Sequence, residues 1–275
     1  MAGTLFLVST PIGNLGDMSH RAVEVLSSAA LIVAEDTRHS RRLLDHYGIS
    51  TPVSSYHEHN EAKETPRLVE RLLTGDSIAL ISDAGTPLIS DPGARLVEAS
   101  LSAAVPVVPI PGASSVMTAL VASGMPLDRF TFFGFIPRKG KERSAAIDEI
   151  VQSRWTSVVF EAANRVQATL AALSAAGAAM RKAVVARELT KQFEEFRRGT
   201  IEELEEGCEA TAPRGEVVIV IAGAEERERS AEELADAARK ARSDGLSPRD
   251  VMDHLIQDLG ASRNLAYRIA HENEE

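Results

Sequence analysis

Residues 77–93 read SIALISDAGTPLISDPG, and the fold follows from how this stretch is parsed. Ser77 to Ile81 is a short apolar, β-branched run of the kind buried on both faces of a parallel sheet, and it stops at the polar pair Ser82 and Asp83. Gly85, Pro87, Pro92 and Gly93 then preclude regular structure and allow close backbone approach to a ligand, before a helix resumes from Ala94 to Ala103. In an open α/β sheet, ligands bind beyond the carboxyl ends of the strands. A plain strand-to-helix connection is the alternative, and Asp83, Asp91 and the hydroxyls crowded into this loop weigh against it.

The same alternation extends outward on both sides. Thr4 to Ser9 predicts a strand, TPIGNLGDMS a glycine-containing loop, and Ser19 an N-cap for a helix to about Ala30. Leu31 to Ala34 predicts a second strand ending at Glu35, Asp36, Thr37 and Arg38, followed by a helix from His39 to Tyr47 with Gly48 in the left-handed position after it. Val53 to Tyr56 predicts a strand, and the helix closing at Leu73 should start near Thr65 or bend there, because Pro66 interrupts its pattern. Val105 to Ile110 predicts a fifth strand, with the small-residue loop PGASS directly behind it. Such repetition implies an α/β fold with a mostly parallel sheet in a first domain, residues 1–123.

GMPLDR, residues 124–129, reads as the turn-rich link to a second α/β domain, 124–224. Its expected strands are Phe130 to Phe135, Ser157 to Phe160, Ala183 to Ala186 and Glu216 to Ala222, with helices from about Glu142 to Ser153 and from the FEAANR loop to Ala176. Residues 225–275 carry no strand signal. Ser230 with Glu233 forms a capping-box pattern, Ser247 with Pro248 starts a helix to Leu259, Gly260 turns, and Ser262 caps a last helix through His271. That is a helix-turn-helix outline, with a small helical hairpin packed on the body as the alternative.

Composition narrows the function. A hydrophobic content of 44% supports a sizeable core, and the one cysteine, Cys208, excludes a disulfide framework and suits a reducing compartment. No apolar run of about 18 residues occurs, so a cytoplasmic protein is expected. The net charge of −10 argues against non-specific nucleic-acid binding through a broad positive field. A specific RNA partner would need local basic patches, for which Arg41 and Arg42 near Arg38, the turn Arg138, Lys139, Lys141 and Arg143, and Arg197 with Arg198 are candidates; ordinary solvated charge is the alternative. Neither G-x-x-x-x-G-K-[ST] nor G-x-G-x-x-G is present, so the usual phosphate loops are excluded. A nucleophile elbow is missing as well, and Cys208 sits in an acidic helix, which disfavours covalent catalysis. His57 and His59 lack nearby ligand partners, and no metal site is expected.

What remains is an ordered set of strand-end loops: TPIG, EDTR, SDAGTP, PGASS, FEAANR, VARELT and RGEVV. Together with STPIGNLGDMS, AEDTRHSRRLL and FGFIPRKGK they make the chain resemble the tetrapyrrole-methylase superfamily of S-adenosylmethionine-dependent enzymes, over essentially the whole body. Within it the resemblance is to the branch that methylates ribosomal RNA. One departure is visible, since Ala162, Ala163 and Asn164 stand where related chains usually have a serine-proline-histidine type of loop.

The resemblance implies S-adenosyl-L-methionine in the cleft between two α/β domains, with a homodimeric assembly. Pro11, Ile12, Gly85, Thr86, Ile89, Ser114 and Ser115 would border the cofactor from the first domain, and Glu161, Ala162, Ala186, Glu216 and Val217 would close over it from the second. It further implies 2′-O-methylation of a cytidine in the decoding centre of 16S rRNA, within the 30S subunit. A ribose hydroxyl is a weak acid, so a base or a cation favouring the alkoxide would assist. Glu35, Asp36 and Arg38 at one strand end and Glu188 and Lys191 at another are the candidates, with a purely local Asp36–Arg38 ion pair as the alternative. Methylation of a tetrapyrrole or a protein side chain, or a non-catalytic nucleic-acid-binding module, remain the other readings. The terminal helices, with Arg249, Arg263 and Arg268, are expected to help dock an RNA substrate.

Overall fold

The computed structural model describes residues 2–224 and 231–271 and divides into two compact units, Met1–Gly223 and Ala224–Glu275. The first holds two five-stranded sheets. In the amino-terminal sheet the strands are β1 (Leu5–Val8), β2 (Leu31–Ala34), β3 (Val53–Ser55), β4 (Ile78–Ile81) and β5 (Val107–Ile110), ordered β3-β2-β4-β1-β5 and parallel throughout. Helices α1 (His20–Ser28), α2 (Thr37–His46), α3 (Glu61–Leu73), α4 (Ala94–Ser102) and α5 (Ser115–Val121) follow the five strands in turn. Leu31–Ala34 and Ile78–Ile81 are buried at every position because helices cover both faces: Ile32, Ala34, Ala79 and Ile81 face the core containing Ala22, Leu26 and Leu44, while Val33, Ile78 and Leu80 face Leu68, Leu72 and Leu96.

The carboxyl-terminal sheet is mixed rather than parallel. Its strands are β6 (Phe130–Phe135), β7 (Thr156–Ala162), β8 (Lys182–Arg187), β9 (Glu195–Thr200) and β10 (Glu216–Ile221), ordered β6-β7-β10-β8-β9. Only β6 and β7 run parallel; β10 is antiparallel to both of its neighbours. Residues along β10 alternate between two cores. Val217, Ile219 and Ile221 pack with α6 (Gly140–Gln152), α7 (Val166–Leu173) and α8 (Ile201–Ala210), whereas Val218 and Val220 pack with Ile12 and with Val116, Ala119 and Leu120 of α5. That second core joins the two sheets into one unit.

Two local expectations are corrected. Of the two alternatives at Pro66, the start near Thr65 is overturned: α3 begins at Glu61 and carries Pro66 in its interior, where the ring removes one ladder hydrogen bond and the buried face Thr65, Leu68 and Leu72 holds the helix together. β9, EFRRGT, carries no apolar alternation and was not expected as a strand. It lies at the sheet edge, where charge is favoured because it discourages pairing with another chain.

The second unit contains α9 (Ala231–Ser243), α10 (Pro248–Gln257) and α11 (Arg263–His271), packed around Leu234, Ala238, Val251, Leu255, Ala266 and Ile269. Ser247 caps α10 through the Asp250 N–H, and Ser262 Oγ accepts from the Leu265 N–H at the start of α11. The expected Ser230 capping box lies outside the described residues.

Candidate active site

The amino-terminal loops gather at one edge because every strand of a parallel sheet ends on the same side. They are stitched to one another. Thr10 and Gly85 form an isolated antiparallel bridge, Thr10 N–H to Gly85 O at 2.8 Å and Gly85 N–H to Thr10 O at 3.1 Å. The Thr86 hydroxyl donates to Ala113 O at 3.2 Å and accepts from the Ser9 hydroxyl at 3.2 Å, tying the central loop to the end of β1 and to PGASS. Gly85 has φ +79°, and a Cβ there would lie 3.2 Å from Ile12 Cγ2. Leu88 and Ser90 also have positive φ, +73° and +67°, strain that is found preferentially where a site must hold a fixed shape.

Antiparallel pairing makes the second sheet contribute differently. Register places Glu216 opposite Ala162 and Val217 opposite Arg187, so the start of β10 lies between the ends of β7 and β8. Beyond β8, Lys191 Nζ donates to Glu188 Oε1 at 3.0 Å and to Glu216 Oε2 at 3.1 Å. Burial alone would lower the Lys191 pKa, but these two hydrogen bonds outweigh it and the ammonium is held above its ordinary value. The Glu188 carboxyl is lowered, chiefly by its hydrogen bond from Lys191. Two glycines make room: a Cβ on Gly13 would overlap the Lys191 stem, and one on Gly215 would overlap the Glu188 carboxylate.

Between these edges lies a cavity of about 360 Å³. Ile12, Gly85, Thr86 and Ile89 line it with Ser114 and Ser115 from the amino-terminal side, and Glu161, Ala162, Glu216 and Val217 line it from the other. Pro11 and Ala186 are buried but do not reach it: Ala186 sits one residue inside β8 and faces the core shared with α5. Glu161 is 1% exposed and its carboxylate is committed, accepting from the Ala162 N–H at 2.9 Å and the Thr169 hydroxyl at 2.6 Å and pairing with Arg165 at 3.3 Å. Its side chain therefore braces the loop after β7. No such side-chain bond is needed from Ala162 or Ala163.

Of the candidate catalytic residues, Glu35 lines the cavity, Lys191 and Glu188 sit at the Glu216 rim, and Asp36 and Arg38 lie outside. Asp36 N-caps α2 through the Arg38 and His39 N–H groups and pairs with the Arg38 guanidinium, whose side chain is 91% exposed. The local ion pair is thus what the structure contains. Glu35 shares the cavity wall with Asp83 and Asp91. Burial first, then the charges of Asp83 and Asp91, hold its carboxyl above the ordinary range, and burial likewise raises Asp91.

Cavity residues missed from the sequence include Phe135, Phe160, Leu189 and Gly215, with Ala84, Ser90, Val116 and Val218 beside them. Phe135 arrives through an irregularity: the β6–β7 register shifts between Phe132 and Phe135, at Gly134 with φ +64°, and the ring then packs on Phe160 with centroids 5.4 Å apart. The FGF pattern was a visible signal for such a kink.

The donor set suits the cofactor that the resemblance implies. A sulfonium cation is tolerated by Glu35, Asp83 and Asp91, no lysine, arginine or histidine lines the cavity among the described residues, and phenylalanine and valine faces provide an apolar slot.

The expected RNA contacts divide into two groups. Arg41, Arg42, Arg138, Lys139 and Lys141 are exposed. Arg143 is turned inward, donating to Pro137 O, Ala168 O and the Thr169 hydroxyl at 3.1–3.4 Å, so it braces α6 against α7. Arg197 and Arg198 are similarly engaged, the first by Glu195 and Thr211 O, the second by Ala122 O at 2.6 Å and the Phe196 ring. Among the described residues no helix is long and apolar enough to cross a membrane, and no group of three or more His, Cys, Asp or Glu is placed to hold a metal ion.

Comparison with known proteins agrees with this geometry. Residues 4–205 match the family model for Tetrapyrrole (Corrin/Porphyrin) Methylases. The chain is 44% identical to ribosomal RNA small subunit methyltransferase I of Synechocystis sp., covering 99% of both chains, and 45% identical to the protein of that name in Pseudomonas aeruginosa, covering 99% of this chain and 98% of the other. Its fold matches that of uroporphyrin-III C-methyltransferase from Thermus thermophilus complexed with S-adenosyl homocysteine, with a TM-score of 0.56 at 16% identity, covering 80% of this chain and 97% of that one. The chain belongs to the tetrapyrrole methylase family and is an S-adenosylmethionine-dependent methyltransferase.

Proposed function

We propose that the protein methylates the ribose 2′-hydroxyl of a cytidine in the decoding centre of 16S rRNA, acting in the cytoplasm on the 30S subunit. The observation that carries this reading is the similarity, along 99% of both chains, to a protein named for methylating small-subunit ribosomal RNA. The arrangement of the cavity supports it: an acid-lined slot of about 360 Å³ has an ionisable carboxyl, Glu35, in its wall and a fixed ammonium, Lys191, at its rim.

The cofactor supplies an electrophilic methyl group. Glu35 accepts the hydroxyl proton as the ribose oxygen takes the methyl, and its raised pKa makes it a better proton acceptor than an ordinary surface carboxylate. The Lys191 ammonium, kept charged by Glu188 and Glu216, favours negative charge developing on that oxygen. The stitched loops around Gly85 and Thr86 fix the alignment that in-line displacement requires. Arg41, Arg42, Arg138, Lys139 and Lys141 are exposed and available for phosphates. A homodimer is part of this reading, supported by the apolar exposure of Val108 on edge strand β5 and of Met117 and Val121 on α5.

The test is incubation with labelled cofactor and either unmethylated 30S subunits or uroporphyrinogen, followed by nucleoside analysis. Label in 2′-O-methylcytidine is the expected result. Label in the tetrapyrrole, or in a methylated base, overturns the assignment.

A further inference from the structure

The helical unit presents a groove that the methyl-transfer site does not use. Ser247, Pro248, Arg249 and Met252, from the start of α10, form one wall, and Arg263, Asn264, Tyr267, Arg268 and His271 of α11 form the other. The α11 residues fall at i, i+1, i+4, i+5 and i+8, one continuous helical face, opposite the buried Ala266, Ile269 and Ala270.

The face has a chemistry of its own. Three arginines converge on it in a chain of net charge −10, and no carboxylate lines the groove among the described residues. The nearest acid in sequence, Asp250, is occupied by the Ser247 hydroxyl. Arg249, Arg263 and Arg268 make no hydrogen bond or ion pair among the described residues, in contrast to Arg143, Arg165, Arg181 and Arg197 of the larger unit. Unneutralised guanidinium groups gathered without a counter-charge complement a polyanion.

Between them stands Tyr267, 58% exposed, its ring held 4.5 Å from that of His271. An exposed aromatic ring, steadied by a neighbour and flanked by free guanidinium groups, is the combination that stacks an unpaired base while its phosphates are held. Asn264 adds a donor and an acceptor beside it. We propose that this groove binds a single-stranded or looped RNA segment, with a base stacked on Tyr267 and the adjoining phosphates held by Arg249, Arg263 and Arg268. The proposal rests on the reading that the substrate is RNA. It names a docking site on the helical unit that is separate from the cavity residues and from the exposed lysines and arginines of the larger unit.

The test uses the full chain and a short fluorescently labelled single-stranded RNA of mixed sequence, with polyglutamate as a competing polyanion. Tyr267→Ala should weaken RNA binding about tenfold, as loss of one stacked base does, and Tyr267→Phe should restore it to within about twofold. The double variant Arg263→Gln and Arg268→Gln should lower the slope of log affinity against log salt by about 0.7 for each lost phosphate contact. Cofactor affinity, measured by calorimetry on the same samples, should stay at the wild-type value and reports that the fold is intact. Unchanged RNA affinity in Tyr267→Ala overturns the proposal, and so does competition by polyglutamate as strong as that by unlabelled RNA. Because the readout is RNA affinity rather than product identity, it can fail while cytidine methylation holds, and the reverse.

Discussion

The two sheets of the larger unit serve one cavity by different means. In the parallel amino-terminal sheet every functional loop leaves a strand end on the same side, and the polar side chains there mostly bind neighbouring loops: Thr10 and Thr86 link backbone to backbone, and Asp36 caps α2. In the mixed carboxyl-terminal sheet, antiparallel β10 brings a strand start between two strand ends, and the polar side chains there form charge networks, Glu188–Lys191–Glu216 and Glu161–Arg165. Parallel topology thus delivers shape by backbone, and antiparallel topology delivers paired charge. Glu35 is the exception on the parallel side, an ionisable group facing the cavity without a hydrogen-bond partner among the described residues, its carboxyl raised by burial and by Asp83 and Asp91 against the opposing charge of His57.

That exception gives the largest expected effect. Glu35→Gln should lower kcat by roughly 10² to 10⁴, the usual worth of a general base, with cofactor affinity retained. Glu35 must be ionised to accept a proton, so activity should rise with pH through its raised pKa, and this acid limb should vanish in Glu35→Gln. Asp83→Asn removes one cause of the raised value and should move the limb to lower pH, whereas Lys191→Met should lower the rate without moving it. Stability takes the opposite sign. A carboxyl whose folded pKa exceeds its unfolded value favours the fold when protonated and costs stability as pH rises from the unfolded pKa through the folded one, so Glu35→Gln should melt higher than wild type at neutral pH.

Gly85→Val attacks shape on the parallel side. The residue sits at φ +79° with Ile12 Cγ2 3.2 Å from where a Cβ would lie, so the loop must move or the backbone must refold locally. Loss of about a hundredfold in cofactor affinity, roughly 3 kcal/mol, is expected by calorimetry, with the circular dichroism spectrum unchanged. An unaltered dissociation constant would remove the central loop from the cofactor site.

Glu161→Ala attacks charge on the mixed side. It leaves Arg165 without its carboxylate and the Thr169 hydroxyl and Ala162 N–H without an acceptor in a buried place, and should cost about 3 kcal/mol in urea unfolding. A smaller contrast comes from helix caps. Thr200→Ala and Ser19→Ala each remove one side-chain acceptor, from the Glu203 N–H and the Ala22 N–H, and should each cost about 1 kcal/mol in thermal melts. The double variant Thr200→Ala and Glu203→Ala also leaves the N–H of residue 200 without its carboxylate and should cost about 1–2 kcal/mol. A double variant no less stable than Thr200→Ala would mean that the reciprocal Glu203 bond contributes nothing.

Much of this molecule was legible before folding was considered. Apolar runs such as Leu31–Ala34 and Ile78–Ile81, stopped by polar and glycine-rich loops and followed by capped helices, are local patterns, and each strand end that carries a loop can be read off in order. The ordered loops also carried the family. Tertiary structure alone decided which of two adjacent acids, Glu35 or Asp36, faces the cavity and which caps a helix, because that depends on how β2 sits beside β4 and not on spacing. It alone turned Arg143 and Arg197 inward to carbonyls, and placed Lys191 over Gly13 at a distance of well over a hundred residues in sequence. Strand β9 was hidden for the same reason: an edge strand whose Glu195 pairs with Arg187 across the register and with its own Arg197 has no apolar period to announce it. Local periodicity determines elements and their order; register and strand order determine which side chains share a cavity, because those contacts form only between segments remote in sequence.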